Sequence, residues 1–161
     1  TVTPTLATIS GATVGGTSTL DINANNHTGA QTVVIDPPTA GAYNAASNTI
    51  TWDKSGLATV QVKFAEDAQY QAVSTTLQSV TVAGMTVTPT LATISGATVG
   101  GTSTLDINAN NHTGAQTVVI DPPTAGAYNA ASNTITWDKS GLATVQVKFA
   151  EDAQYQAVST T

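Results

Sequence analysis

Oxygen-bearing side chains at alternate positions form the pattern in this sequence that comes nearest to a metal site. In the segment DINANNHTGA, which begins at Asp21, the residues Asp21, Asn23 and Asn25 have the spacing of the first three ligands of an EF-hand calcium loop. Such a loop also needs a glycine at its sixth position and a bidentate glutamate at its twelfth. Asn26 and Thr32 stand at those positions, so the turn residue and the strongest ligand are both missing.

The neighbouring residues predict a strand that runs into a turn. Leu20 and Ile22 alternate with Asp21 and Asn23, an arrangement typical of a strand with one apolar and one polar face. The asparagines that follow tolerate the left-handed backbone conformation of tight turns. We therefore expect these polar side chains to lie on the outer face of a strand and not to bind calcium.

Catalytic groupings are also difficult to assemble from these residues. Nucleophilic catalysis needs a nucleophile with a base and an orienting group, and the chain has no cysteine and no serine motif that resembles a nucleophile elbow. The carboxylates Asp21, Asp36 and Asp53 are scattered among predicted strand ends. The sequence therefore predicts no catalytic, cofactor-binding or metal-ligating residues, no cofactor, and a protein that is not an enzyme.

The histidine and the lysines are interpreted more simply as solvent-exposed residues than as reactive ones. His27 lies in the predicted turn, where we expect it to be exposed to solvent. Asn26 to Thr28 match the N-glycosylation motif, which is short enough to occur by chance. Lys63 is expected to point outward from its strand, and Lys54 follows a strand end, so neither is placed for a buried isopeptide cross-link.

Aromatic residues are expected to fill the interior. The repeating pattern places Trp52, Phe64 and Tyr70 inward, which leaves Tyr43 as the remaining aromatic side chain. A carbohydrate-binding platform needs several exposed aromatic rings on one surface. We therefore predict no such platform.

Composition excludes several classes of partner. The 161 residues are 40% hydrophobic and only 9% charged, with a formal net charge of −6. An acidic chain without a basic patch is a poor partner for nucleic acid or an anionic membrane. No apolar run approaches 18 residues, so we expect no membrane insertion. We also expect no secretion signal in this sequence, because no charged segment followed by an apolar one opens it.

The chain repeats itself. Residues 1–76 and 86–161 are identical, and residues 77–85, LQSVTVAGM, lie between them. Recent duplication within a long array explains the identity best, although artificial joining of two copies at Met85, the single methionine, would also explain it. A period of this length fits a small independently folded domain better than a solenoid repeat. We predict one domain over residues 1–85, including the connecting strand 77–85, and a second over residues 86–161.

Within each copy the hydrophobic pattern has the period of strands. Residues 57–65, LATVQVKFA, and residues 77–83, LQSVTVA, alternate apolar and polar side chains, as do residues 19–24 and 49–52. Glycine, proline and asparagine pairs separate these segments. About seven short strands with turns every 8–12 residues predict an all-β fold, an antiparallel β-sandwich in each copy.

Residues 56–84 resemble the C-terminal half of a bacterial immunoglobulin-like repeat domain of the group 3 type. In that family a Gly-x-Ala-Thr-Val strand is followed by a Gly/Glu-Asp-Ala-x-Tyr-x-Ala turn and a final Ser/Thr-Val strand. Asp67, Ala68, Tyr70 and Ala72 stand at the matching positions. The resemblance implies two tandem immunoglobulin-like β-sandwiches, with Tyr70 as a corner tyrosine. It also implies an extracellular location in a multidomain cell-surface protein or adhesin, a family in which most domains serve as spacers.

The second copy lacks a counterpart of residues 77–85 within this sequence. If that segment closes a domain, the second domain lacks its last strand; if a domain instead begins at Leu77, the first copy lacks its opening strand. Either way one sheet edge is unpaired, unless the segment only connects the domains, and an unpaired edge is a template for strand addition from another chain. We therefore expect neighbouring repeats as partners and self-association through an open sheet edge. The sequence favours a structural spacer, stalk or fibre. The alternative is a repeated adhesion module for a glycan, a host protein or ice.

Overall fold

β-Strands account for the regular structure of residues 2–160, the part of the chain that the computed structural model describes. The all-β prediction is therefore confirmed, and the strands pair into several antiparallel sheets. The chain divides into two compact units, residues 1–85 (unit 1) and residues 86–161 (unit 2). Within the described range, no helix has the length and apolar character needed to cross a bilayer.

Unit 1 contains nine strands among its described residues, in three sheets. β1 and β3 form a pair, β6 lies between β2 and β5, and β7 pairs with β4 along one edge and with β8 and β9 along the other. The strands are β1 (Thr5–Leu6), β2 (Thr17–Thr19), β3 (Ile22–Asn23), β4 (Gln31–Asp36), β5 (Gly41–Asn44), β6 (Thr49–Trp52), β7 (Gly56–Phe64), β8 (Val73–Ser74) and β9 (Gln78–Val82).

The long strand β7 organises this unit. Its alternate residues Ala58, Val60, Val62 and Phe64 are all buried, as the sequence predicts, and they share a core with Trp52 of β6. Val80 and Val82 of β9 are buried in the same core, which also includes apolar residues from the first 20 positions. A face of alternating apolar residues on each sheet therefore closes over one interior, an arrangement consistent with a β-sandwich.

The predicted strand over residues 19–24 is wrong in one respect. The chain changes sheet in the middle, because β2 pairs with β6 whereas β3 pairs with β1. At the change, Leu20 N–H donates to Asn48 O at 3.0 Å, and Ala7 N–H donates to Asp21 O at 3.0 Å. The alternation of apolar side chains survives, so the sequence pattern alone does not reveal that two short strands replace one.

Unit 2 repeats this arrangement in eight strands among its described residues. They are β10 (Thr90–Leu91), β11 (Thr102–Thr104), β12 (Ile107–Asn108), β13 (Gln116–Asp121), β14 (Gly126–Asn129), β15 (Thr134–Trp137), β16 (Thr144–Phe149) and β17 (Val158–Ser159). β16 corresponds to β7 but starts three residues later in the repeat, and the described residues of unit 2 contain no counterpart of β9.

Candidate functional site

The asparagine segment forms the turn that the sequence predicts. Asn25 and Asn26 have φ angles of 49° and 68°, which is the left-handed region. The side-chain oxygen of Asn23 accepts a hydrogen bond from Asn25 N–H at 2.9 Å. The side-chain oxygen of Asn23, the second ligand of the calcium-like pattern, is therefore occupied in holding the turn.

His27 lies in the interior, so the prediction of an exposed histidine is wrong. Its ring packs between those of Phe64 and Tyr70, at centroid distances of 5.4 and 5.7 Å. Gly29 N–H points at Nδ1 at 3.1 Å, and Nε2 lies 3.0 Å from the carbonyl oxygen of Gln71. These partners assign the proton of the neutral ring to Nε2, which donates to Gln71.

Asp67 is the second member of this cluster. Its Oδ2 accepts hydrogen bonds from Thr28 N–H at 2.7 Å and from the Thr28 hydroxyl at 2.8 Å. Its Oδ1 accepts from Gln69 N–H at 2.8 Å and Tyr70 N–H at 2.7 Å. The hydrogen bond from Gln69 N–H, followed by the one from Thr28 N–H, holds the pKa of the Asp67 carboxyl well below its usual range.

Together His27, Thr28 and Asp67 form a polar clasp between the turn after β3 and the loop after β7. His27 Nδ1 and Asp67 Oδ2 lie 3.3 Å apart, but both are acceptors here, so the loops are joined by the hydrogen bonds from Thr28 to Asp67 and from His27 to Gln71 O. The clasp requires Gly29, because a Cβ at that position would overlap the carbonyl oxygen of Ala65. Unit 2 repeats the clasp with His112, Thr113 and Asp152. Its ring and carboxylate atoms are used in joining two loops, which is a structural role.

Trp52, Tyr43 and Asn48 also hold segments together through their side chains. Trp52 Nε1–H donates to the Ser18 hydroxyl at 2.9 Å in the interior. Tyr43 is half-buried against the core, and its hydroxyl donates to Asn48 Oδ1 at 2.9 Å. Asn48 in turn donates from Nδ2 to Leu20 O at 2.8 Å. Tyr43 is thus part of the framework, a role that the sequence pattern did not predict.

The lysines and the carboxylates outside the clasp are exposed. Lys54 and Lys63 face solvent, as do Asp21, Asp36 and Asp53. In residues 2–160 no three histidine or acidic side chains lie close enough together to hold a metal ion. The structure therefore brings together the clasp residues, and it leaves the carboxylates named in the sequence analysis apart.

A groove in unit 2 distinguishes the two units. It has a volume of about 680 Å³ and is lined by Leu91, Ile94, Val99, Trp137, Ala143 and Val145. The corresponding positions of unit 1 line the place where β9 lies. The groove thus follows from the same sequence with one strand fewer.

Comparison of this chain with protein-family models and with curated protein sequences found no match.

Proposed function

We propose that each repeat is an immunoglobulin-like β-sandwich that serves as a load-bearing spacer in a bacterial cell-surface protein. The observation that carries this proposal is the pairing of the first and last segments of unit 1. Thr13 and Ala83 face each other in a parallel bridge. Val14 N–H donates to Ala83 O at 2.9 Å, and Ala83 N–H donates to Ala12 O at 2.9 Å.

This pairing suits a chain that is pulled from its ends. Two parallel segments run in the same direction, so tension on the N-terminal side of one and the C-terminal side of the other slides them past each other. Sliding loads the two hydrogen bonds together, whereas an antiparallel pair of end segments would open one bond at a time. β9 also pairs along residues 56–60 of β7, so the segment that leads out of unit 1 is part of its sheet.

Repetition supports the same proposal. Two identical sequences each form their own β-structure. In both, the aspartate and histidine side chains that could take part in chemistry are engaged in holding loops together. Independent units in series add length in equal increments. An extracellular array of such units would project whatever domain stands at its end.

The experiment compares chains of two, four and eight repeats, with residues 77–85 between successive copies. If the repeats are spacers, the maximum dimension of the chain measured by small-angle X-ray scattering should rise linearly with repeat number. The increase per repeat should be the same with calcium as with chelator. The same chains are then tested for binding to glycans, host matrix proteins and ice. Binding that strengthens with repeat number would instead support the adhesion module, because multivalency raises avidity.

A further inference from the structure

Strand β4 lies at one edge of the four-stranded sheet of unit 1. It pairs with β7 along one side, in an unbroken register from Gln31 opposite Phe64 to Asp36 opposite Thr59. Among the described strands of the unit, none pairs with the other side of β4. Its six residues also make it longer than the edge strands of the other two sheets, which have two to four residues.

The main-chain groups of every second residue of β4 point to this unpaired side. Ala65 N–H donates to Ala30 O at 2.9 Å, so these two residues are a hydrogen-bonded pair of the antiparallel ladder. Such pairs recur at every second residue, so the even-numbered residues of β4 direct their N–H and C=O groups to β7. Those of the odd-numbered residues, Gln31, Val33 and Ile35, therefore point away from β7.

β4 has none of the features that usually prevent an edge strand from pairing. Natural edge strands are protected by lysine, proline, short length or a bulge. The sequence of β4, QTVVID, contains neither lysine nor proline, and its residues pair with β7 without a bulge. The one charge, that of Asp36, stands at the end of the strand, and Pro37 and Pro38 follow it. The edge is thus bounded at its end and open along its length.

We propose that β4 is a docking edge for the β4 strand of a second copy of this chain, added in antiparallel orientation. The groups that face the edge belong to odd-numbered residues, so the register must place odd-numbered residues opposite each other. A pair centred on Val33 uses all of them, because Val33 then lies opposite Val33 of the second copy and Gln31 opposite its Ile35. Each such pair exchanges both main-chain hydrogen bonds. Unit 2 offers the same edge in β13, whose sequence is identical.

The side chains that this register brings together favour a strand of the same sequence as the occupant. Thr32 would lie opposite Val34 of the second copy, and cross-strand pairs of β-branched side chains stabilise a sheet. Asp36 would lie opposite Ala30, so no like charges face each other across the pair. The Val33 side chain already packs against the core of unit 1 and would not need to move.

One pair of edges is a weak contact. Two six-residue strands bury less surface than the roughly 1,200–2,000 Å² of a stable complex. The formal net charge of −6 also opposes association. We therefore expect reversible dimers of this chain at high concentration, and tighter lateral association where many repeats act together. This inference depends on the sheet edge and not on the spacer function.

The test follows self-association of the 161-residue chain by sedimentation equilibrium, from about 10 μM to about 1 mM in about 0.15 M salt, where exposed charges are screened beyond about 8 Å. Amide hydrogen exchange over the same range identifies the contact. We expect exchange at Val33 and Ile35 to slow as the concentration rises, because their N–H groups gain partners. The amide of Val34, which bonds to β7, should be protected at every concentration.

A proline variant removes the central hydrogen bonds of the proposed pair. Val33→Pro/Val118→Pro eliminates an N–H that points away from β7 in unit 1 and from β16 in unit 2. Proline is tolerated on an edge strand in that orientation, so each strand should keep the pairing within its own unit. We expect the association constant to fall at least about tenfold while the far-UV spectrum stays unchanged.

A lysine variant tests the same edge without changing the main chain. Val34→Lys/Val119→Lys places positive charges of the two copies near each other and should weaken association at least about fivefold. Thr51→Lys/Thr136→Lys makes the same change in net charge at exposed positions of β6 and β15 and should not weaken it. If the proline variant does not fold, these two lysine variants decide the question.

Four results would overturn the proposal. The first is a chain that stays monomeric at about 1 mM, and the second is undiminished association of a folded proline variant. The third is equal weakening by both lysine variants, which would attribute the effect to net charge. The fourth is slowed exchange at residues 91–99 and 141–145 in place of β4 and β13, which would place the contact at the groove of unit 2.

Discussion

The polar residues that resemble site residues in this sequence act as local connectors. Asp67 accepts four hydrogen bonds from Thr28, Gln69 and Tyr70. The pKa of its carboxyl is lowered because these donors favour the ionised form, and Asp152 repeats the arrangement in unit 2. Connectors of this kind make stability dependent on pH.

The double variant Asp67→Asn/Asp152→Asn tests this dependence. The folded-state pKa lies below the ordinary value of 3.8, so the stabilisation is present above about pH 4 and is lost as the pH falls below it. We expect the melting temperature of the unmodified chain to fall steeply below pH 4. The variant should melt lower at pH 7 and show a weaker acid dependence. Differential scanning calorimetry from pH 7 to pH 2 measures both effects.

The matched control removes the same charges at exposed positions. Asp21→Asn/Asp106→Asn makes an identical change in net charge outside the clasp. Its acid dependence should follow that of the unmodified chain. Equal flattening in both double variants would show that net charge, and not the clasp, sets the pH dependence.

At the scale of elements, β9 determines how well each core is closed. Val60 of β7 and Val145 of β16 occupy identical sequence positions, but Val60 is fully buried and Val145 is half-buried beside the groove. We expect Val60→Ala to lower the free energy of unfolding of unit 1 by about 2 kcal/mol, from lost burial and the cavity left behind. Val145→Ala should cost unit 2 less than about 1 kcal/mol, because part of that side chain is already in contact with water.

Denaturant unfolding of the two single variants, followed by residue-specific amide signals, measures these costs separately. The unmodified chain should unfold in two steps, with unit 2 first, since it has the less complete core. A single cooperative transition with equal costs at both valines would contradict the role assigned to β9.

The sequence predicts elements whose periodicity is long and regular. β7, β9 and the inward residues of β6 follow from alternation alone, because one buried face imposes a period of two. The break between β2 and β3 could not be predicted, since a strand that changes sheets keeps that alternation. His27 was placed wrongly because its burial depends on Phe64 and Tyr70, which reach it from a distant strand and loop. The one local signal was Gly29, two residues later, where a side chain would collide with Ala65.

At the scale of the whole molecule, the two repeats have identical sequences, so each unit can serve as the control for the other. A substitution in unit 1 can be compared with the same substitution 85 residues later, in the same local sequence. Differences between the two report on β9 and on the pairing of the end segments. Mechanical strength is the property that the proposed spacer function makes most important, and it depends on that pairing.

Pulling the chain from its two ends with an atomic force microscope should therefore produce two unfolding events of unequal force. The stronger event belongs to unit 1, in which residues 12–14 pair with Ala83. Val14→Pro removes the N–H that donates to Ala83 O, so we expect the stronger event to weaken toward the force of the other. Val99→Pro makes the same change in unit 2, where the described residues provide no strand to pair with, and should leave the stronger event unchanged. If unit 1 of Val14→Pro remains folded and keeps its full unfolding force, the parallel pair does not bear the load, and the spacer proposal loses the observation on which it rests.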